Sequence, residues 1–329
     1  MTRQGRPMLK PLAFALSLLL AGPAFAQAKT PAAPASAPVP LMWTACDADN
    51  CLYLLGSFHV LKPADYPLSK DVDAAFADAE KLVFEIPPQE MQSAELQQQM
   101  MAAALRRDGT QLKDELTPDQ NAKLDAWLKA NEAALAKQGL APAVFQMFKP
   151  WFASLMVSLT GMTQMGMQPE LGLDRHFMAR ADKAGKPVSG LETGSGQVAL
   201  LSGMTPEEQR QMLEESLDSV ANGGIETRKL HDAWRRGDAE GLITGTIDEM
   251  RKEYPRLYQA INVERNDAWV PLLEQRLKTP GTDDHLVVVG AMHLLGPDGV
   301  VEKLRAKGYT VKRICSACAA KPGAKPKKK

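Results

Sequence analysis

Leu52-Tyr53-Leu54-Leu55-Gly56-Ser57-Phe58-His59 and Leu286-Val287-Val288-Val289-Gly290-Ala291-Met292-His293 share one pattern, an apolar strand-like run ending in Gly-x-x-His. The chain has five histidines, and two of them stand in this context. A glycine where a strand ends lets the backbone turn sharply without Cβ strain, so each imidazole is expected just beyond a sheet edge. If the two strands are neighbours, the histidines converge. Two convergent imidazoles beside a carboxylate make a divalent-metal site.

Working outward, each motif sits in a unit of strand, Gly-x-x-His, helix, strand. The first is entered through a strand Met42 to Ala45, a turn, and a strand Leu52 to Leu55. After His59 a loop runs to Pro67. Ser69 then caps a helix to about Ala79 with Val72, Phe76 and Ala79 on one stripe, and a buried strand Lys81 to Ile86 is stopped by Pro87-Pro88. The second unit has a strand His285 to Val289, the turn Gly290 to His293, a helix capped by Asp298 and closed by Gly308, and a strand Tyr309 to Ile314. The fold class is therefore α/β: a central mixed, largely parallel sheet built from two β-GxxH-α-β halves with a large helical insertion between them. Crossovers between parallel strands are right-handed, and ligands bind beyond the carboxyl ends of the strands, where both histidines are expected.

The insertion, Met91 to Pro280, reads as helical. Thr117-Pro118-Asp119-Gln120 and Thr205-Pro206-Glu207-Glu208 are capping boxes with proline at the first helical position. One strand is evident there, Pro187 to Leu191, after a helix Asp174 to Lys183. The apolar, Met-rich segment Trp151 to Met167 is either a buried helix or the lining of a groove for an extended apolar ligand.

Glu85 lies in an otherwise apolar run, Leu82-Val83-Phe84-Glu85-Ile86. A lone buried carboxylate is costly unless paired or metal-bound, so Glu85 is either an edge residue or a functional carboxylate at a strand end, and the second is favoured here. Glu192 occupies the same position after Val188 to Leu191, with a turn cap as its ordinary explanation. His176, His231 and His285 lie among charged neighbours, where surface or structural roles are expected. Arg265, in Asn262-Val-Glu-Arg265-Asn266-Asp267-Ala-Trp269, taken alone is a helix arginine.

The ends read differently. Arg3, Arg6 and Lys10 precede an apolar run from Leu12 to Ala21 and the small-x-small signal Ala24-Phe25-Ala26, the pattern of a secretory signal peptide over residues 1–26. Residues 27–40 form an Ala/Pro-rich linker, 41–320 a single domain, and 321–329 a basic disordered tail. The expected location is the periplasm of a Gram-negative cell, or secretion, with no transmembrane helix in the mature chain. The whole sequence has 39 basic and 39 acidic residues, but without the three basic residues before Gln27 and the five tail lysines the balance is 31 to 39. Such a body lacks the clustered cations that nucleic acid requires. Cys46, Cys51, Cys315 and Cys318 are expected to form disulfides after export, a bridge across the Asp47-Ala48-Asp49-Asn50 turn being sterically reasonable, although three pairings are possible.

Taken together, Tyr53 to His59, Phe84-Glu85-Ile86, Gly172-Leu173-Asp174, Gly190-Leu191-Glu192-Thr193, Glu264-Arg265-Asn266 and Val289 to Leu294 with Gly296 resemble the TraB/GumN family. That family includes the Tiki-type metalloproteases and is distantly similar to erythromycin-esterase-like and ChaN-like proteins. Ser57 stands where Thr is common. The resemblance implies an active site of His59, Glu85, Arg265 and His293 with a divalent ion such as Mn²⁺, Co²⁺ or Zn²⁺.

The reading that follows is an exported metal-dependent hydrolase of the metallopeptidase kind, acting on a peptide or small-molecule substrate. His59 and His293 hold the ion, Glu85 is third ligand or general base, Arg265 stabilises developing charge, and Glu192 is held for whichever acidic role Glu85 leaves. The alternatives are a non-catalytic periplasmic metal- or haem-binding protein and an accessory factor in exopolysaccharide production.

Overall fold

The structure, a computed structural model, describes residues 36–318. The signal peptide, most of the linker and the basic tail lie outside the described residues. Six strands form one sheet: β1 (Met42–Cys46), β2 (Cys51–Ser57), β3 (Lys81–Phe84), β4 (Val188–Gly190), β5 (His285–Gly290) and β6 (Thr310–Ile314), in the order β4-β3-β5-β2-β1-β6. β4, β3, β5 and β2 run parallel, and β1 is antiparallel to both β2 and β6. Every residue of β5 is buried, as a strand covered on both faces of a parallel sheet must be.

The helices that position the site are α1 (Lys70–Asp78), α2 (Pro118–Ala136), α3 (Pro150–Gln164), α4 (Leu173–Ala184), α5 (Gly194–Ser202), α6 (Pro206–Ala221), α7 (Ile225–Arg235), α8 (Glu264–Lys278), α9 (Ala291–Leu294) and α10 (Val300–Ala306). Both Thr-Pro boxes close as expected, with Thr117 and Thr205 accepting from the amides of Gln120 and Glu208. At the end of α1, Lys186 Nζ donates to the carbonyls of Phe76, Ala77 and Ala79, satisfying acceptors the helix leaves open. α3 is buried over Trp151–Ser158, so the Met-rich segment is mainly a core helix. Its far end, with Met162 and Met165, lines a cavity of about 210 Å³ against α6 and the start of α7.

The two Gly-x-x-His units are present but interleaved. β5 is inserted between β2 and β3, so the first crossover skips one strand, and the second, from β5 to β6, skips two. Four local expectations are corrected. Gly56 lies inside β2 rather than at its end, whereas Gly290 closes β5 as expected, and neither has a positive φ. Both are glycines of close approach: a Cβ on Gly56 would stand 3.1 Å from the Cα of Ala291. The cap of α10 is Gly299 instead of Asp298, whose carboxylate accepts from Tyr258 Oη at 2.9 Å. Ser69 holds the cap position of α1, but no side-chain bond is made. Finally, β3 ends at Phe84 rather than Ile86, and because it is flanked on both sides the edge alternative for Glu85 falls away.

Disulfides join Cys46 to Cys51, directly opposed across the β1–β2 hairpin, and Cys315 to Cys318 beyond β6. Among the described residues no helix is long and apolar enough to cross a membrane.

One buried carboxyl gives the fold a pH signature. Burial pushes Glu215 of α6 up to about 8 against the hydrogen bond from Tyr254 Oη, with the neighbouring charges of Glu214 and Asp218 adding to the rise. A carboxyl raised in the folded state contributes stability that is complete below its ordinary value and is lost as pH climbs through about 8. Glu215→Gln is therefore expected to match the parent near pH 5 and to exceed it at pH 9 by roughly 1–2 kcal/mol. Thermal melts at the two pH values check this, and an equal shift at both would contradict it.

Candidate functional site

Each of the four adjacent parallel strands delivers one chemically active side chain just past its carboxyl end. His59 follows β2, Glu85 follows β3, Glu192 follows β4 and His293 follows β5 on the single turn α9. Pairing of Ser57 with Gly290 sets the β2–β5 register, which places the two histidine loops side by side. A Cβ at Gly290 would lie 3.1 Å from His59 Nε2, 3.2 Å from Glu85 Oε1 and 3.5 Å from His293 Cδ2, so three of these side chains surround one point. Arg265 enters from α8, which packs across the strand ends. All five residues singled out from the sequence meet in one buried cluster, with His59, Glu85, Arg265 and His293 each no more than 7% exposed.

Both imidazoles are oriented by partners on their outer nitrogens. His59 Nδ1 donates to Asp174 Oδ2 at 2.7 Å, and the same oxygen accepts from Ser57 Oγ at 2.8 Å. On the other side, Asn266 Nδ2 donates to the carbonyl of Asp298 at 2.8 Å, which fixes the amide so that its Oδ1 accepts from His293 Nδ1 at 2.8 Å. His293 therefore presents an Nε2 lone pair inward, and Arg265 Nη1 donates to it at 2.9 Å. His59 Nε2 faces Glu85 Oε1 at 4.0 Å.

Arg265 joins the two glutamates. Its Nη2 donates to Glu85 Oε2 at 2.5 Å and to Glu192 Oε1 at 2.6 Å, and its Nε donates to Glu192 Oε2 at 3.1 Å. Gln197 Nε2 bridges the same two carboxylates at 3.2 Å and 2.6 Å. Glu85 Oε1 accepts from the Gly290 amide at 2.7 Å. A π-helical turn, Gln259–Val263, leads into α8 and aims the Ile261 carbonyl at Arg265 Nη1, 3.2 Å away. Trp269, one turn on, packs against His293 with ring centroids 4.4 Å apart and planes tilted by 47°, and donates from Nε1 to Glu192 Oε2 at 3.3 Å. Glu192 is thus an ion-pair partner, and the turn cap comes instead from Thr193, whose Oγ1 accepts from the Gly196 amide at 3.1 Å.

The two histidines are driven in opposite directions. Burial works against charging His59, but the adjacent Asp174 carboxylate, aided by Glu85, outweighs it and raises its pKa. Burial, with the positive charges of Arg265 and His59 behind it, holds His293 well below the ordinary imidazole range. His293 is thereby favoured as the neutral acceptor its hydrogen bonds require, whereas His59 keeps a proton to higher pH than a free imidazole.

Asp174, Asn266, Gln197, Ser57 and Trp269 belong to the site without having been assigned roles from the sequence. Asp174 and Asn266 stood in the motifs around Gly172 and Arg265. Their signal is a polar residue in the first turn of a helix that begins beside a candidate loop. Gln197 and Trp269 carried no such mark.

The donor types suit a divalent ion by their chemistry. Both imidazoles have an outer acceptor on Nδ1–H, the arrangement that commonly orients metal-binding histidines, and Glu85 Oε1 approaches the same point as His59 Nε2, although among the described residues no three His, Cys, Asp or Glu side chains are grouped closely enough to hold an ion as they stand. The cluster's polar contacts also gather three carboxylates, Asp174, Glu85 and Glu192, against the single guanidinium of Arg265. An uncompensated negative charge remains, double with His59 neutral and single with His59 protonated. Asp174 Oδ1 and Gln197 Oε1 add two buried acceptors that no donor among the described residues reaches.

A family model described as the TraB/PrgY/gumN family matches residues 41–313. Two curated relatives, each described as uncharacterized protein YbaP, come from Escherichia coli (strain K12) and Shigella flexneri. Each is 24% identical over 172 residues, a match covering 51% of this chain. The chain spans 61% of the length of each of these relatives. No solved structure matches it.

Proposed function

We propose that this chain, which belongs to the TraB/PrgY/gumN family, is an exported metal-dependent hydrolase with a divalent ion held by His59, His293 and Glu85, and that its substrates are peptides. The observation that carries the reading is the arrival of two inward-facing imidazoles and a buried carboxylate at neighbouring parallel strand ends, in a cluster with excess negative charge. The two disulfides agree with export.

When bound, the ion would supply a water acidified towards neutrality as the nucleophile. The rest of the chemistry falls to the protein. Asp174 keeps the His59 ring in the tautomer that leaves Nε2 for ligation. Asn266 does the same for His293. Glu85, fixed by the Gly290 amide, lies beside both rings and is placed to take a proton from water. Arg265 supplies positive charge for the oxygen that becomes anionic as the scissile carbonyl is attacked. Glu192 and Gln197 hold Arg265 and Glu85 in register, so Glu192 serves as a positioning residue.

Incubating the protein, reconstituted in turn with Mn²⁺, Co²⁺ and Zn²⁺, with a mixed peptide library tests the reading by mass spectrometry of the products. Cleavage is expected with at least one ion and is expected to fall by at least about 10²-fold in His59→Ala and Glu85→Gln. Variants that cleave as well as the parent would show the site to be wrongly placed. The depth of the cluster favours a second reading, a periplasmic metal-binding protein without catalysis, and tight ion binding with no cleavage under any condition would select it.

A further inference from the structure

We infer that Arg265 is the resident cation of this centre, that it and a divalent ion are alternative occupants of His293 Nε2, and that Glu192 tethers the guanidinium in the site when His293 is given up. The inference rests on the metal reading above.

His293 has one nitrogen to give. Nδ1 is committed to Asn266, and Nε2 accepts from Arg265 Nη1 at 2.9 Å. A metal–nitrogen bond of about 2.0–2.1 Å uses that same lone pair, so contact with Arg265 and ligation exclude each other. Glu85 is divided differently. Its Oε2 takes Arg265 Nη2, while its Oε1 takes the Gly290 amide and faces His59 Nε2, so this carboxylate can serve a cation without first losing the guanidinium.

Glu192 meets a different edge of Arg265. It receives Nε and Nη2 at 3.1 and 2.6 Å, the two-pronged contact that fits a carboxylate to a guanidinium, and neither bond involves Nη1. Trp269 supports the arrangement from beneath, its ring 4.8 Å from Arg265 Cζ and its Nε1 on Glu192 Oε2. Arg265 can therefore release His293 and remain anchored. Nη1, still held by the Ile261 carbonyl at 3.2 Å, then has one N–H to offer beside His293, where charge develops on a substrate oxygen. The residue that fills the centre before loading becomes the one that assists afterwards.

The prediction is read as affinity for Co²⁺, followed by its visible absorption in competition with a chelator, on the full chain. Arg265→Gln is expected to bind Co²⁺ at least tenfold more tightly than the parent. Arg265→Lys, which keeps the charge but loses the planar fork, is expected to bind at least fivefold more tightly. In ¹⁵N-arginine-labelled parent protein, the guanidinium signal that shows a through-space contact to the Trp269 ring is expected to move on adding one equivalent of Zn²⁺. That measurement stands even if a variant fails to fold. Equal affinities in all three proteins, or tightening in Arg265→Gln alone, would overturn displacement in favour of independent sites or through-space repulsion. No Co²⁺ binding by the parent or either variant would overturn the metal centre itself.

Discussion

Arg265→Met is expected to destabilise the protein by roughly 3–5 kcal/mol, the usual cost of leaving buried charges without their partner. Glu85 is 1% exposed, and its Oε2 and Glu192 Oε1 both lean on the same guanidinium nitrogen. Methionine matches much of the arginine stem but provides no donor. Two carboxylates then face each other with only Gln197 Nε2 between them. Chemical denaturation followed through tryptophan fluorescence gives the number. The double variant Arg265→Met with Glu85→Gln is expected to recover part of the loss, because one of the stranded charges is removed with its partner. A loss below about 1 kcal/mol, or full additivity in the double variant, would mean that the carboxylates are not held as ions by Arg265.

Gly172→Ala is expected to be as damaging, by about 3 kcal/mol or more, for a steric reason. The Cβ would fall 2.1 Å from the His59 carbonyl oxygen and 2.7 Å from its carbon. Those are backbone atoms, and they cannot rotate away. The start of α4, which carries Asp174, would have to lift off the loop that carries His59, breaking the contact between Leu173 N and the Phe58 carbonyl at 3.1 Å. The His59–Asp174 bond would stretch with it, so Co²⁺ affinity should fall together with the unfolding midpoint. Gly196→Ala is the control, since its Cβ would meet only Thr193 Oγ1, at 3.2 Å, and alanine favours the helical position it would occupy. If Gly172→Ala proves as harmless as Gly196→Ala, the packing of α4 on the histidine loop does not hold the site together.

All six strands were legible in the sequence because each is a short apolar or alternating run closed by glycine, proline or a polar turn. Their ends shifted by a residue or two, as at Phe84 and Gly290. The order of the strands was not legible. Periodicity reports which residues are buried, and nothing in the run from Leu286 to Val289 says that it enters between β2 and β3. The convergence of His59 and His293 was anticipated, but the reason given for their glycines was not the operative one. Backbone approach at Gly56 and Gly290 depends on what lies opposite, which only the register reveals. The residues that orient the imidazoles escaped for a related cause. Asp174 and Asn266 act across 115 and 27 positions respectively, and an aspartate or asparagine at a helix start looks the same whether it faces solvent or a ring nitrogen.

The place of β5 in the sheet has a consequence for how the molecule comes into being. Until residues His285–Gly290 are made, β2 and β3 have no strand between them, and the register that aligns one histidine loop with the other does not exist. A nascent or truncated chain ending before this segment carries two open edges and a cluster that lacks His293. Joining of the four parallel strands and convergence of the two histidines are then a single late event, so the cluster on which the proposed hydrolysis depends is incomplete until this segment has been made.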